Sequence, residues 1–306
     1  MTAAALASTP AVKALSPTAR GVAYGVAAVA IWGIYLAFAR ANVSAGVLPE
    51  DLAFVRYAVA GAIMLPWLMS HAPATLAGIG WLRGVVLSLL AGPLFILVGA
   101  SGFLFAPLSH GAVVQPAAIT VAGLALGALL LGDRLTRVRV SGAAVILAGL
   151  ALVAGPGAIS GGVHGLVGDA LFALAGMMWA GFAVLSKRWS VSPIAATAVV
   201  SVLSAVIYTP LFLATRGLDA LLAQAPAVLL QQIVVQGVLS GVVAVFAFGR
   251  AVELLGSPRA AALPALVPVV AILTGVPVTG ELPTLLQTIG LIVVTLGLLV
   301  TQRRPA

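Results

Sequence analysis

The sequence predicts an all-α membrane protein, with ten transmembrane helices arranged as two inverted five-helix repeats. Three observations predict it. The chain is nearly free of charge, it divides into ten apolar stretches of spanning length, and its second half repeats its first at an offset of 147–148 residues.

The scarcity of charge sets the solvent. Only 7% of the 306 residues are Asp, Glu, Lys or Arg and 62% are hydrophobic; the mean hydropathy is +1.21. Soluble domains carry about a quarter charged residues because a water-facing surface needs them. A chain with so few has lipid around most of its exterior. The absence of cysteine removes disulfide frameworks, thiolate nucleophiles and Cys-based zinc sites.

A helix rises 1.5 Å per residue, so about 20 apolar residues cross a hydrocarbon core about 30 Å thick. Reading between charges and Pro/Gly punctuation places spans at 21–39, 52–69, 84–104, 110–131, 138–154, 166–186, 194–214, 229–249, 258–279 and 285–301. Residues 1–20 read as a tail, with no apolar segment followed by a cleavage site. Residues 155–165 read as a linker and 302–306 as a second tail. With the N-terminus in the cytoplasm, the inner loops hold twelve of the 15 basic residues, the outer loops hold only Arg40 and Arg216, and Arg56 falls within the second span. The positive-inside rule therefore places both termini in the cytoplasm of a bacterial inner membrane. This distribution accounts for the net charge of +8 with the lipid bilayer as partner and no nucleic acid.

The repeats, 21–154 and 166–301, are read from the offset. Ser109, Ala112, Pro116, Ala117, Gly132, Thr136, Gly142 and Gly149 meet Ser257, Ala260, Pro264, Ala265, Gly280, Thr284, Gly290 and Gly297; Asp133 meets Glu281, Trp32 meets Trp179, and Arg40 meets Lys187. Five spans are an odd number, so the second repeat enters the membrane upside down. The loop Leu131 to Arg139 accordingly carries three arginines, and its counterpart Thr279 to Gln287 carries no Lys or Arg. Inverted repeats are a recurring architecture of secondary transporters, with the binding site near mid-membrane at the repeat interface.

The pattern Ser109-x-x-Ala112-x-x-x-Pro116, Leu131-Gly132-Asp133-Arg134-Leu135-Thr136, Gly142 and Gly149 resembles the drug/metabolite transporter superfamily. With its second copy, Ser257-x-x-Ala260-x-x-x-Pro264, Gly280-Glu281-Leu282-Pro283-Thr284, Gly290 and Gly297, it resembles the tandem EamA type over essentially the whole chain. The resemblance implies a central cavity lined mainly by spans one, three, four, six, eight and nine. It is similar to the branch exporting (aromatic) amino acids, which implies amino acids or similar small zwitterionic or neutral solutes as cargo, with nucleosides, other metabolites or drugs as alternatives. The second copy departs from the usual pattern at Leu282-Pro283, where a basic residue followed by Leu is usual; the inverted orientation accounts for the missing charge.

Several residues are candidates for the pathway. Trp32 and Trp179 lie at mid-span, where an indole N–H needs a partner that a wet cavity or a substrate carboxylate supplies, and Tyr35 shares the face of Trp32. Gln115-Pro116 and Leu263-Pro264 are expected to interrupt spans four and nine, because proline removes one helical hydrogen bond and displaces the carbonyl four residues back. Pro116 and Pro264 are thus candidate hinges, Gln115 a cavity residue, and Pro268 a second break. Gln232, Gln236 and Ser240 share one face of span eight, and a polar face avoids lipid. Ser101, beside Gly99 and Gly102, marks either a cavity face of span three or close helix packing.

Arg56 has two readings, snorkelling outward to Glu50 and Asp51 or meeting a substrate carboxylate. His110, at the outer start of span four, is a candidate gate. The three histidines, His71, His110 and His164, show no ligand spacing, so neither metal nor cofactor is expected. Gly-x-Ser-x-Gly, His-Glu-x-x-His and Walker A motifs are missing from the sequence, against an enzyme or an ATP-driven pump. All seven acidic residues read as terminal or loop positions, which points to transport uncoupled from protons or sodium. Two repeats in one chain fit a monomer.

Overall fold

The computed structural model describes residues 16–154, 162–255 and 263–301. The tail up to residue 15, linker residues 155–161, the tail 302–306, and Ser257, Arg259 and Ala260 lie outside the described residues, as do the side chains of His164 and Ala265.

Ten helices match the ten expected spans: α1 (Pro17–Ser44), α2 (Pro49–Met69), α3 (Trp81–Gly102), α4 (Leu108–Leu131), α5 (Arg137–Ala154), α6 (Gly162–Arg188), α7 (Pro193–Thr215), α8 (Pro226–Leu255), α9 (Val267–Thr279) and α10 (Leu285–Thr301). α1 to α4 and α6 to α8 are long and apolar enough to cross a membrane. α5, α9 and α10 are shorter, at 18, 13 and 17 residues. The ninth span was expected from residue 258. Its described part opens with a 3-10 turn, Leu263–Leu266, and becomes α-helical only at Val267.

Local chemistry fixes the helix ends. Proline, whose missing N–H costs nothing in a first turn, opens α1, α2, α7 and α8. Ser16 and Ser192 accept from the N–H groups of Ala19 and Ala195 at 3.2 and 3.3 Å, the N-capping arrangement. Glu50 and Asp51 occupy the first turn of α2, where the helix dipole favours negative charge. The repeated Gly-acid-x-x-Thr motif is a helix stop followed by a helix start. Gly132 and Gly280 end α4 and α9 in the left-handed region, at φ +70° and +71°, open to glycine without steric cost. Thr136 and Thr284 then accept from the backbone N–H of Arg139 and Gln287.

The two repeats interlock. α4 packs on α6 as α9 packs on α1; α3 packs on α6 as α8 packs on α1; and α3 meets α7 as α8 meets α2. α2 pairs with α7, and α5 with α10. Exchanging the halves maps this set of pairings onto itself, the signature of a pseudo-two-fold axis. With five crossings per repeat, that axis lies in the membrane plane.

The α5–α10 seam shows how closely the fit is made. A Cβ on Gly149 would stand 2.8 Å from the Val294 backbone nitrogen and 3.0 Å from the Gly290 carbonyl oxygen. A Cβ on Gly297 would stand 2.8 Å from the Ile146 nitrogen and 3.0 Å from the Gly142 oxygen. The four repeat-related glycines thus make contacts within one chain, by the small-residue packing common in membranes. Outside, Leu82, Leu129, Leu273, Leu282 and Leu285 are between 71% and 80% exposed, a surface suited to lipid.

Gly149→Ala is expected to destabilise the detergent-solubilised protein by about 1–3 kcal/mol through overpacking. Gly165→Ala, where an added Cβ meets nothing within 4 Å, is expected to change stability by less than about 0.5 kcal/mol. Thermal unfolding of both variants checks the pair.

Candidate functional site

A cavity of about 390 Å³ lies between the repeats. Trp32 of α1 and Trp179 of α6 face each other across it, with ring centroids 6.4 Å apart and an interplanar angle of 79°. This edge-to-face arrangement puts the positive edge of one ring on the negative face of the other. Phe95 of α3 lies 5.3 Å from Trp179, and Phe248 of α8 lies 5.3 Å from Trp32. The aromatic lining is therefore itself paired between the repeats. Tyr35, Gln115, Thr120, Ser240 and Arg56 bring polar side chains to the wall, and Pro116 and Pro264 also line it. All six expected helices contribute; α2 adds Arg56 and α10 adds Leu298.

The helix breaks differ from expectation. α4 runs through Pro116 without interruption, held by its neighbour α6: Gly176 approaches so closely that a Cβ would stand 2.6 Å from the Gln115 carbonyl oxygen. Pro264 lies in the 3-10 turn, Leu263–Leu266, ahead of α9.

Two further interruptions escaped the sequence reading. α3 breaks at Gly92, where a Cβ would fall 2.1 Å from the Ser88 oxygen. The Phe95 N–H turns to the Gly92 carbonyl at 3.1 Å, leaving the Ala91 carbonyl out of the ladder, and the Tyr57 hydroxyl donates to it at 2.6 Å. α8 is wound as a π-helix over Ile233–Val243. The Ala244 N–H reaches back five residues to the Leu239 carbonyl, so the return to four-residue spacing skips the carbonyl of Ser240. Arg56 Nη2 donates to that carbonyl at 3.3 Å, and Nη1 donates to the Ser240 hydroxyl at 2.8 Å. Adjacent residues of α2 thus serve the freed carbonyls of both broken helices.

This corrects the outward-snorkelling reading of Arg56. Asp51 is held by Arg216, whose Nε and Nη2 donate to its two oxygens at 2.8 and 3.2 Å. Those hydrogen bonds raise the Arg216 pKa above its ordinary value. Arg56 turns inward instead, is 5% exposed, and lies 5.4 Å from the Tyr35 ring centroid and 5.9 Å from that of Tyr57.

The cavity occupies the half of the molecule nearer the basic loops, as Leu124, Ala183, Phe248, Pro264 and Leu298 in its wall show. The opposite half is latched, with a separate pocket of about 290 Å³ against Glu281 at its outer end. Arg40 Nε donates to Glu281 Oε1 at 2.6 Å, Glu281 Oε2 accepts from the Leu108 N–H at 2.8 Å, and Arg40 also donates to the Phe103 carbonyl. At the basic end the repeat-related pair is Lys187 and Asp133, 3.5 Å apart and 65% and 42% exposed, against 21% and 28% for Arg40 and Glu281. One pair is seated and its counterpart is loose.

The latched half explains why three candidates lie off the cavity wall. His110 joins the latch, with Nδ1 2.9 Å from Asp169 and Nε2 3.3 Å from Gln287. Gln236, one turn above Ser240, is fully buried and its amide has no hydrogen-bond partner. Ser101 stands outside the wall, and the glycines beside it, Gly99 and Gly102, pack against Ala175 and Phe172 of α6. Gln232 is likewise buried, donating to Gln224 at 2.7 Å. Among the described residues no group of three His, Cys, Asp or Glu stands together as a metal site. Phe95, Phe248 and Thr120 were missed; only Gly92-Pro93, just ahead of Phe95, carried a signal.

The model of the EamA-like transporter family matches this chain twice, over residues 19–155 and 166–303. The chain belongs to the EamA-like transporter family. The cavity is therefore that of an EamA-like membrane transporter, built where its two repeats meet. A solved crystal structure shares the fold at a TM-score of 0.61, covering 92% of this chain and 96% of that one at 19% identity. No curated protein matches.

Because this EamA-like transporter contains no cysteine, single replacements report the cavity directly. Ala183→Cys and Thr120→Cys are expected to react with a small water-soluble maleimide in the folded protein. Gln236→Cys is expected to react only after unfolding. Labelling followed by mass determination checks the contrast.

Proposed function

We propose that this transporter exports amino acids or similar small zwitterionic or neutral solutes across the bacterial inner membrane by alternating access. In this reading it acts as a monomer with both termini in the cytoplasm. The observation that carries the reading is a cavity at the repeat interface, bordered by a seated ion pair at one end and its loose counterpart at the other.

The physical argument has three parts. The cavity volume of about 390 Å³ suits a small solute, and its mostly apolar wall with a few placed polar groups is what such sites use for grip and orientation. The positive-inside rule assigns the basic end to the cytoplasm, so the cavity faces the compartment from which an exporter loads. No Asp or Glu lines it, so no carboxylate stands ready to carry a proton or sodium ion with the solute. Transport then follows the solute's own gradient. A monomer suffices because the α5–α10 glycines already face each other within the chain.

Alternating access follows from the inverted repeats. Exchanging the roles of the halves seats Lys187 on Asp133 and loosens Arg40 from Glu281, closing the cytoplasmic end and opening the other. Glu281→Gln is expected to raise labelling of Gln115→Cys from the outer side by about 5- to 30-fold, the shift that one or two kcal/mol produces. Asp133→Asn is expected to leave it unchanged or lower it. Equal labelling in both variants would refute the exchange of gates.

Efflux from proteoliposomes loaded with a panel of labelled amino acids tests the cargo. Release of several of them, reduced at least about tenfold by Trp179→Ala, is the expected outcome, since a buried aromatic contact contributes on the order of 1–3 kcal/mol. Release of nucleosides but of no amino acid, from folded protein, would overturn the amino-acid reading.

A further inference from the structure

Within the cavity, one side chain is chemically out of balance. Among the described residues Arg56 is the sole charged residue in the wall, and none of the five ion pairs among them includes it. Five of the seven acids are committed to those pairs, and the other two, Glu50 and Asp219, are exposed at helix starts. A guanidinium presents five N–H donors. Here Nη1 and Nη2 both donate to Ser240, the Tyr57 hydroxyl also lies against the guanidinium, and the buried Nε has no partner. An ionised group inside a membrane protein is costly and faces a cavity or a partner; this one has the cavity and lacks the anion.

We propose that Arg56 is the carboxylate anchor of the transport site, so that the cargo is a solute with one carboxylate joined to an apolar or aromatic body. The inference rests on the exporter reading and narrows it. A planar guanidinium meets the two oxygens of a carboxylate in matched pairs. A phosphate dianion would leave a net negative charge beside Arg56, and the described part of the wall offers no second cation. Tyr35 links the anchor to the aromatic wall: its ring is 5.4 Å from the guanidinium carbon, and it lies three residues beyond Trp32 on one face of α1. The body of the solute then lies against the tryptophan pair. An ammonium group finds no acid in the wall, only neutral groups such as the Gln115 amide and the ring faces, so it is tolerated and not required. The carboxylate is the group that the site demands.

The test uses the purified full chain in detergent, reading ligand-induced change in tryptophan fluorescence. The probes are L-phenylalanine, 3-phenylpropionate (carboxylate without amine), L-phenylalanine methyl ester (amine without carboxylate) and uridine. The wild type is expected to bind the two carboxylates at least about tenfold more tightly than the ester, as hydrogen bonds to a charged partner require. Arg56→Gln is expected to abolish that preference and Arg56→Lys to keep part of it. The wild-type comparison needs no variant, so a misfolded mutant leaves the test intact. Equal binding of ester and phenylalanine would overturn the anchor while leaving the exporter reading in place. Binding of uridine with no binding of either carboxylate would overturn both.

Discussion

Five membrane crossings per repeat, an odd number, force the second copy of the unit to enter the bilayer inverted. Most of the architecture follows from that constraint. A residue near a helix end is carried by the pseudo-two-fold operation to the opposite face, so each terminal device occurs once per face: the glycine stops Gly132 and Gly280, the threonine starts Thr136 and Thr284, the pairs Lys187–Asp133 and Arg40–Glu281. A residue at mid-depth near the axis is carried to its own neighbourhood. Trp32 and Trp179 therefore meet each other, each with a phenylalanine behind it. Duplication with inversion concentrates mid-helix chemistry at one place and distributes terminal chemistry to two.

The departures from symmetry make the site usable. Backbone groups in hydrocarbon must find partners within the protein, so a helix can open only where donors are waiting. α3 opens by a glycine break and α8 by π-winding, two different distortions in repeat-related helices. In each case one carbonyl drops out of the ladder, and in each case α2 supplies the donor, Tyr57 for Ala91 and Arg56 for Ser240. π-helical segments are rare and concentrate at functional sites; here the segment delivers both oxygen atoms of Ser240 to one guanidinium. The ends are unequal in the same way. Arg40 and Glu281 are seated, with Glu281 also accepting from the first N–H of α4, where the helix dipole adds to the attraction. Lys187 and Asp133 are apart and wet.

What the sequence made legible was whatever depends on the local chain or on the bilayer. Charge scarcity, span length and loop arginines require no knowledge of packing, and the ten helices lie where those signals put them. The offset of the repeats brought out Trp32, Trp179, Pro116 and Pro264, all four of which reach the cavity wall. The direction of Arg56 was illegible because it turns on whether Asp51 is free, and Asp51 is claimed by Arg216 from 165 residues away. The π-segment was illegible because Gln232, Gln236 and Ser240 keep the same spacing in either winding. Gln236, Ser101 and His110 lie in the half held by Arg40 and Glu281, a pairing across 241 residues that no local pattern reveals.

The one cation among the described residues of the cavity wall is where the energetics of fold and function meet. An arginine at the centre of a membrane helix costs about 2.5–3.5 kcal/mol on insertion scales. The tyrosine rings beside Arg56 each return on the order of 0.5–2 kcal/mol, and the bonds to Ser240 satisfy part of its donor set. That suffices to hold the side chain inward and leaves its remaining capacity unmet, with Nε still unpartnered. A carboxylate acid buried beside it would have completed the balance, and would also have closed the site to any anionic solute. Leaving the partner out of the chain makes the missing interaction available only when the cargo brings it. In the proposed reading, the lack of a titratable acid among the described wall residues also leaves no carboxylate to couple transport to an ion gradient. One unpaired arginine thus bears on selectivity and on driving force together.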